Sequence, residues 1–125
     1  MSPKKALLIV DHGSRQPEAN EAVIEIVRIT KTLRPDLIVE YAHMEMVGPN
    51  LASGVAACVN AGADEIRVQP YLLADGRHTR ETIPELVDQA ALTYPNIHFR
   101  ITQPLGPHEA LAHLVLLRMD ELDCA

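Results

Sequence analysis

The sequence predicts an α/β fold, a four-stranded parallel sheet covered by helices, and three observations carry that expectation. Short strand-like runs alternate with longer segments whose apolar residues recur at helical spacing. The first run, Ala6-Leu7-Leu8-Ile9-Val10, is continuously apolar, as a strand buried on both faces should be. Glycine and proline punctuate the segments where turns are needed, as at Gly13, Pro35, Gly62 and Gly106-Pro107.

Each element follows in order. After the first strand, Pro17 opens a helix with Ala19, Val23, Ile26, Val27, Thr30 and Leu33 at helical spacing, and Arg34-Pro35 ends it. Leu37 to Ala42 is the second strand. Pro49 and Leu51 begin the second helix, with Leu51, Val55, Cys58, Val59 and Gly62 on one face and Ala61-Gly62-Ala63 as its stop. Glu65 to Val68, extending toward Leu73, is the third strand, and Asp75-Gly76-Arg77-His78-Thr79-Arg80 is a polar loop. Ile83 to Tyr94 is the third helix, with Pro84 in its first turn. Ile97 to Ile101 is the fourth strand, and Leu105-Gly106-Pro107 leads into a last helix running to about Leu122. Four βα units with right-handed crossovers give a flavodoxin-like three-layer sandwich, strand order 2-1-3-4.

Bulk properties narrow the function. The 125 residues fit one domain spanning 1–125, and a hydrophobic share of 47% marks a globular chain. Aromatic residues are only 3% and the net charge is −6, which argues against nucleic-acid binding. Cys58 and Cys124 form no CxxC pair, so neither a disulfide framework nor a zinc knuckle is expected, and a reducing cytoplasm fits. Residues 1–5 are too short and polar for a signal peptide, and no run approaches a membrane span. No GxxxxGK[ST], GxGxxG or GxSxG motif is present, so ATP, a dinucleotide or a hydrolytic role for Ser14 is not indicated.

In open α/β sheets, ligands bind beyond the carboxyl ends of the strands. His12 follows strand 1, His43 and Glu45 follow strand 2, and His78 lies in the loop after strand 3. With the order 2-1-3-4 these strand ends are neighbours, so two imidazoles and a carboxylate converge on one crevice. Such a set suits a borderline divalent ion, and equally suits proton acceptance. His43 reads as a supporting or packing residue, and His98, His108 and His113 as structural or exposed. Arg15, Arg77 and Arg80 occupy the same loops and suit an anionic ligand.

At this point His12-Gly13-Ser14-Arg15, Met44-Glu45, the stretch Pro70 to His78 followed by Ile83-Pro84, and Leu105-Gly106-Pro107-His108 together resemble the small CbiX-type chelatases. The resemblance runs over nearly the whole chain in the same order. It implies ATP-independent insertion of Co²⁺ into sirohydrochlorin or a related tetrapyrrole in cobalamin biosynthesis, with Fe²⁺ or Ni²⁺ as the alternative metals. It implies a homodimer, each copy resembling half of a two-lobed chelatase, and no permanent cofactor. It matches His12 and His78 to the metal ligands and bases and Glu45 to an assisting acid. Ser14, Arg15, Arg77 and Arg80 then suit the carboxylates of the substrate. Asp11 departs from the pattern, since many relatives carry a small residue there, and it is placed to orient an imidazole. Two rivals use some of the same residues. A non-catalytic metal or tetrapyrrole carrier would hold its ligand without turnover. A histidine phosphatase is disfavoured because Asp11 stands where that family places an arginine. A histidine-based metal site loses activity as pH falls through the ordinary imidazole range, about 6.5.

Overall fold

The structure is a computed structural model and describes residues 4–123. Cys124 and the first three residues, which carry part of the composition reading above, lie outside the described residues.

The continuous apolar run becomes the centre of the sheet. Strand β1 spans Lys5–Asp11 and pairs in parallel with β2 (Ile38–His43) on one side and β3 (Glu65–Pro70) on the other. Strand β4 (His98–Ile101) adds to β3, giving the predicted order β2-β1-β3-β4. Leu8 and Val10 are fully buried because β1 has a neighbour on both edges and helices on both faces.

Helices α2 (Leu51–Asn60) and α3 (Ile83–Thr93) cover one face. Their Val55, Cys58, Ile83 and Val87 pack on Leu8, Val10, Ala42, Ile66 and Val68. Helix α1 (Pro17–Leu33) covers the other face through Val23 and Val27, which meet Ile9 and Val39. Of the α1 residues read as core, Leu33 ends at 74% exposure, because it lies in the last turn, beyond the sheet. Asn50 caps α2, its side chain accepting from the Ser53 N–H at 2.9 Å, and Gly62 at φ +100 stops it.

Two expectations are corrected. The polar segment after β3 is not all loop. It closes at His78–Thr82 into a π-helical turn that runs directly into α3, with the Ile83 N–H donating to the His78 carbonyl. Pro84 has no N–H and its ring crowds the carbonyl four residues back, so a widened turn before it is the physical consequence. Strand β3 stops at Pro70, short of Leu73: the Tyr71 N–H still donates to the Val10 carbonyl at 2.7 Å, but Pro70 has no N–H to offer on the β4 side.

The last helix, α4 (Glu109–Glu121), forms as predicted but joins no layer. None of its residues is buried, and Leu114, Val115, Leu116, Leu117 and Met119 are 46–67% exposed. Full burial of such a side chain is worth about 1.5–3 kcal/mol. The exposed row therefore represents a large unclaimed stabilisation.

Candidate functional site

The carboxyl ends of β1 and β2 are stitched to each other by main-chain bonds that continue past the strands. The Met44 N–H donates to the Asp11 carbonyl at 3.0 Å and the Glu45 N–H to the His12 carbonyl at 3.2 Å. Gly13 has φ +90, and a Cβ there would collide with the Glu45 carbonyl oxygen. Only glycine satisfies both the left-handed backbone and this close approach. Beyond it, Asn20 of α1 clasps Ser14, accepting from its N–H at 2.9 Å and donating to its carbonyl at 2.6 Å. The Ser14 hydroxyl accepts from the Gln16 N–H at 3.0 Å, so it is already used in shaping the loop.

This stitching brings the predicted residues together. His12 Nε2 lies 3.0 Å from Glu45 Oε1, with both side chains about half exposed. Its Nδ1 lies 3.2 Å from the Gly13 carbonyl, so both ring nitrogens face an oxygen acceptor and a neutral ring can donate to only one of them at a time. The His78 ring meets the His12 ring edge to face, centroids 4.9 Å apart. His78 is held by Thr82 one turn on, Nδ1 to Oγ1 at 3.2 Å. Sequence reasoning missed Thr82, although its spacing from His78 was a usable signal. Among the described residues, no three histidine, cysteine or carboxylate side chains are poised to enclose an ion together. The predicted donors thus meet as two pairs sharing His12, on an open rim, rather than as a closed cage.

His43 does not join that rim. It is buried, and its Nδ1 bonds Asp11 Oδ1 at 2.5 Å. The sequence-level suggestion that Asp11 orients an imidazole therefore applies to His43, its register partner across the β1–β2 ladder, and not to His12. The His43 ring also meets the Tyr41 ring at 5.6 Å. Met46 follows at φ 76, inside a three-residue turn closed by the Val47 N–H donating to the Glu45 carbonyl at 2.9 Å. A non-glycine residue with positive φ is a strained conformation, and it fixes where Glu45 leaves the chain.

An open cleft of about 490 Å³ lies beside the rim, between α1 and the end of β2. Arg15, Tyr41, His43, Met46 and Val47 line it. Of the three loop arginines, Arg77 pairs with Glu81 at 3.1 Å and Arg80 with Asp75 at 3.0 Å. Asp75 also accepts from the Thr79 hydroxyl, and this bond first, then Arg80, holds its carboxyl below the ordinary value. Arg15 enters no ion pair among the described residues, so it is the guanidinium most readily available to a ligand. The remaining histidines lie elsewhere, as read: His108 caps α4 by accepting from the Ala110 N–H, and His113 pairs with Glu109 along that helix. Cys58 is buried in the core and burial pushes its thiol up to about 12, so it is inert.

The chain is similar to known proteins over nearly its whole length. The family model described as CbiX matches residues 6–122. A chloroplastic sirohydrochlorin ferrochelatase of Arabidopsis thaliana is 41% identical over 109 residues, covering 87% of this chain and 48% of the relative. A sirohydrochlorin cobaltochelatase of Methanococcoides burtonii is 33% identical, covering 98% of this chain and 99% of the relative. The crystal structure of the sirohydrochlorin chelatase SirB from Bacillus subtilis subspecies spizizenii, in complex with cobalt, superposes with a TM-score of 0.86 at 33% identity over 94% of this chain and 50% of that one. The chain thus spans about half the length of several relatives and nearly all of another.

Proposed function

Because the chain belongs to the CbiX family, we propose that it inserts a divalent metal, Co²⁺ first among candidates, into sirohydrochlorin without a nucleotide. The observation that carries this reading is the open rim on which His12 Nε2 stands 3.0 Å from a Glu45 oxygen and in ring contact with His78.

Metal insertion needs an ion stripped of part of its water and two pyrrole protons removed from the ring. In this reading His12 Nε2 and His78 take the ion as it sheds water. Their neutral imidazoles bind it without bringing charge of their own. Glu45, beside His12, is an auxiliary ligand and accepts one pyrrole proton. A histidine freed as the ion moves into the ring accepts the other, and both protons then pass to solvent. The ring loses two protons and gains a doubly charged ion, so its overall charge is unchanged. No phosphate loop is needed, because four ring nitrogens hold the ion better than the rim does.

The ring's carboxylate arms suit the cleft beside the rim. Arg15 is the principal clamp, and the nearby Ser14 main chain is fixed by Asn20 to present it. Arg77 and Arg80 are supporting clamps that exchange Glu81 and Asp75 for a substrate carboxylate. One sheet end offers only one wall for a wide planar ring. We take residues 1–125 to act as one domain of a two-copy assembly whose second copy supplies the facing wall. Among the described residues no helix is long and apolar enough to cross a membrane, and a reducing cytoplasm is the setting this chemistry implies.

The test is direct. Purified protein is mixed with sirohydrochlorin and Co²⁺, and the absorbance change is followed against the spontaneous rate. Replacing His12 with Ala should lower the rate by about 10²-fold or more, as expected for removal of a metal ligand that also moves a proton. An unchanged rate would remove His12 from the reaction. Running Co²⁺, Fe²⁺ and Ni²⁺ side by side identifies the metal the site prefers.

A further inference from the structure

The turn after β2 holds a strain that packing within the chain does not offset. Among the described residues, Met46 is the only non-glycine residue with positive φ. Its φ of 76 belongs to the rare form of the three-residue turn, closed here by the Val47 N–H on the Glu45 carbonyl. A bond on either side of the turn holds it in place. The Glu45 N–H is tied to the His12 carbonyl, and the His43 N–H donates to the Pro49 carbonyl at 2.8 Å, closing the loop at its neck. Strained positions that the surrounding structure imposes in this way gather at ligand sites.

The turn decides where three consecutive side chains go. Met44 packs against the core, Glu45 meets His12, and Met46 stands out at 56% exposure. Glycine would adopt this backbone freely, so the side chain at 46 costs stability and gains little burial in return. Met46 lines the cleft beside the rim together with Ile24 and Val47, which are also exposed. Apolar groups gathered in the open around one concavity mark a binding groove. The cleft has one guanidinium, Arg15, but Glu21 also lines it, so charge alone gives it no net attraction for an anion. Its apolar wall has to supply the rest. A flat conjugated ring with carboxylates on its perimeter fits both parts: its face meets the apolar wall and one arm meets Arg15.

We propose that Met46 is a specificity-determining residue of the insertion site. Its thioether side chain, held out by the left-handed turn, is the ledge on which the face of the macrocycle rests. A flexible, polarizable side chain suits contact with a conjugated face. Met46 and Glu45 are consecutive in the chain, so seating the ring on the one also sets its height above the carboxylate of the other. This inference rests on the sirohydrochlorin reading above.

The test uses metal-free sirohydrochlorin, titrated with the purified full chain and followed by the ligand's own fluorescence. Met46→Gly should weaken binding about ten-fold, as for loss of one large apolar contact, and KM should rise far more than kcat falls. Its melting temperature should hold or rise, because the strain is relieved. Met46→Asn keeps a residue that tolerates the left-handed backbone but removes the apolar surface, and it should weaken binding as much as Met46→Gly. Met46→Leu should bind within about two-fold of the parent chain, since volume-conserving apolar exchanges are tolerated best. Unchanged binding in Met46→Gly and Met46→Asn overturns the ledge and leaves the sirohydrochlorin reading standing. A loss in Met46→Gly that Met46→Asn does not share assigns the effect to the backbone and overturns it as well. Failure of the parent chain to bind sirohydrochlorin overturns both readings.

Discussion

The two loops that bring His12 and His78 together are built differently. The His12 loop is tied to the rest of the fold. Its main chain bonds the segment after β2, Asn20 of α1 clasps its Ser14, and a glycine lets Glu45 pass against it. The His78 turn is tied mostly to itself, through Asp75 and Gly76 before it and Thr79, Arg80 and Thr82 within it. One imidazole is thus positioned by the sheet, the other by a local turn. A change that disturbs the first should cost stability along with activity. A change that disturbs the second should alter activity while the fold stays intact.

The largest effect that would sharpen this contrast comes from Gly13→Ala. It forces a side chain into a left-handed position and against the Glu45 carbonyl, at a cost on the order of 3 kcal/mol. The thermal midpoint and the insertion rate should fall together. A variant that melts normally and inserts normally would break the idea that this loop is set by the fold. Next is Asp11→Ala, which leaves buried His43 without its partner and should cost about 2 kcal/mol in denaturant unfolding. A loss of insertion with no loss of stability would instead move Asp11 into the reaction itself.

Thr82→Val tests the other side of the comparison. It keeps the size of the residue but removes the hydroxyl beside His78 Nδ1. Insertion should slow by about five-fold with the melting temperature almost unchanged, as for one half-exposed hydrogen bond, and Thr82→Ser should restore the rate. The smallest effect is expected at Asp75. Its carboxyl is held below the ordinary value, so the order it lends to the turn is present above that ordinary value and is lost as pH falls through the lowered one. Protection of the amides at residues 76–80, taken relative to the intrinsic exchange rate at each pH, should therefore fall only in acid, and in Asp75→Asn it should already be low at neutral pH.

How much of this was legible beforehand follows the same division. The continuous run at Ala6–Val10 and the alternating βα pattern point to the parallel sheet, the common order of such folds supplies 2-1-3-4, and the strand-end rule makes His12, Glu45 and His78 neighbours, as they are in the structure. Those inferences need only topology. The Asp11–His43 bond needs the register of two strands, which one sequence does not carry, so Asp11 was read as a partner for some imidazole without saying which. The turn at His78–Thr82 reads as loop because its polar residues hide helical geometry, and Pro84 reads as an ordinary residue of a first helical turn. Helix α4 was legible as a helix, but its exposure was not, since apolar residues in a final βα unit suggest a covered face by default. The three arginines share the same loops in the sequence, and only contacts in space distinguish Arg15 from the paired Arg77 and Arg80.

The openness of the rim has a consequence for timing. With His12 and Glu45 about half exposed and, among the described residues, no three donors enclosing one point, an ion taken up there as proposed would keep much of its hydration. Such an ion exchanges rapidly with the solvent pool instead of residing on the protein. A site of this kind makes a poor reservoir and a good transfer point. Its occupancy should track the free metal concentration from moment to moment, and a modest chelator in solution should compete with it effectively.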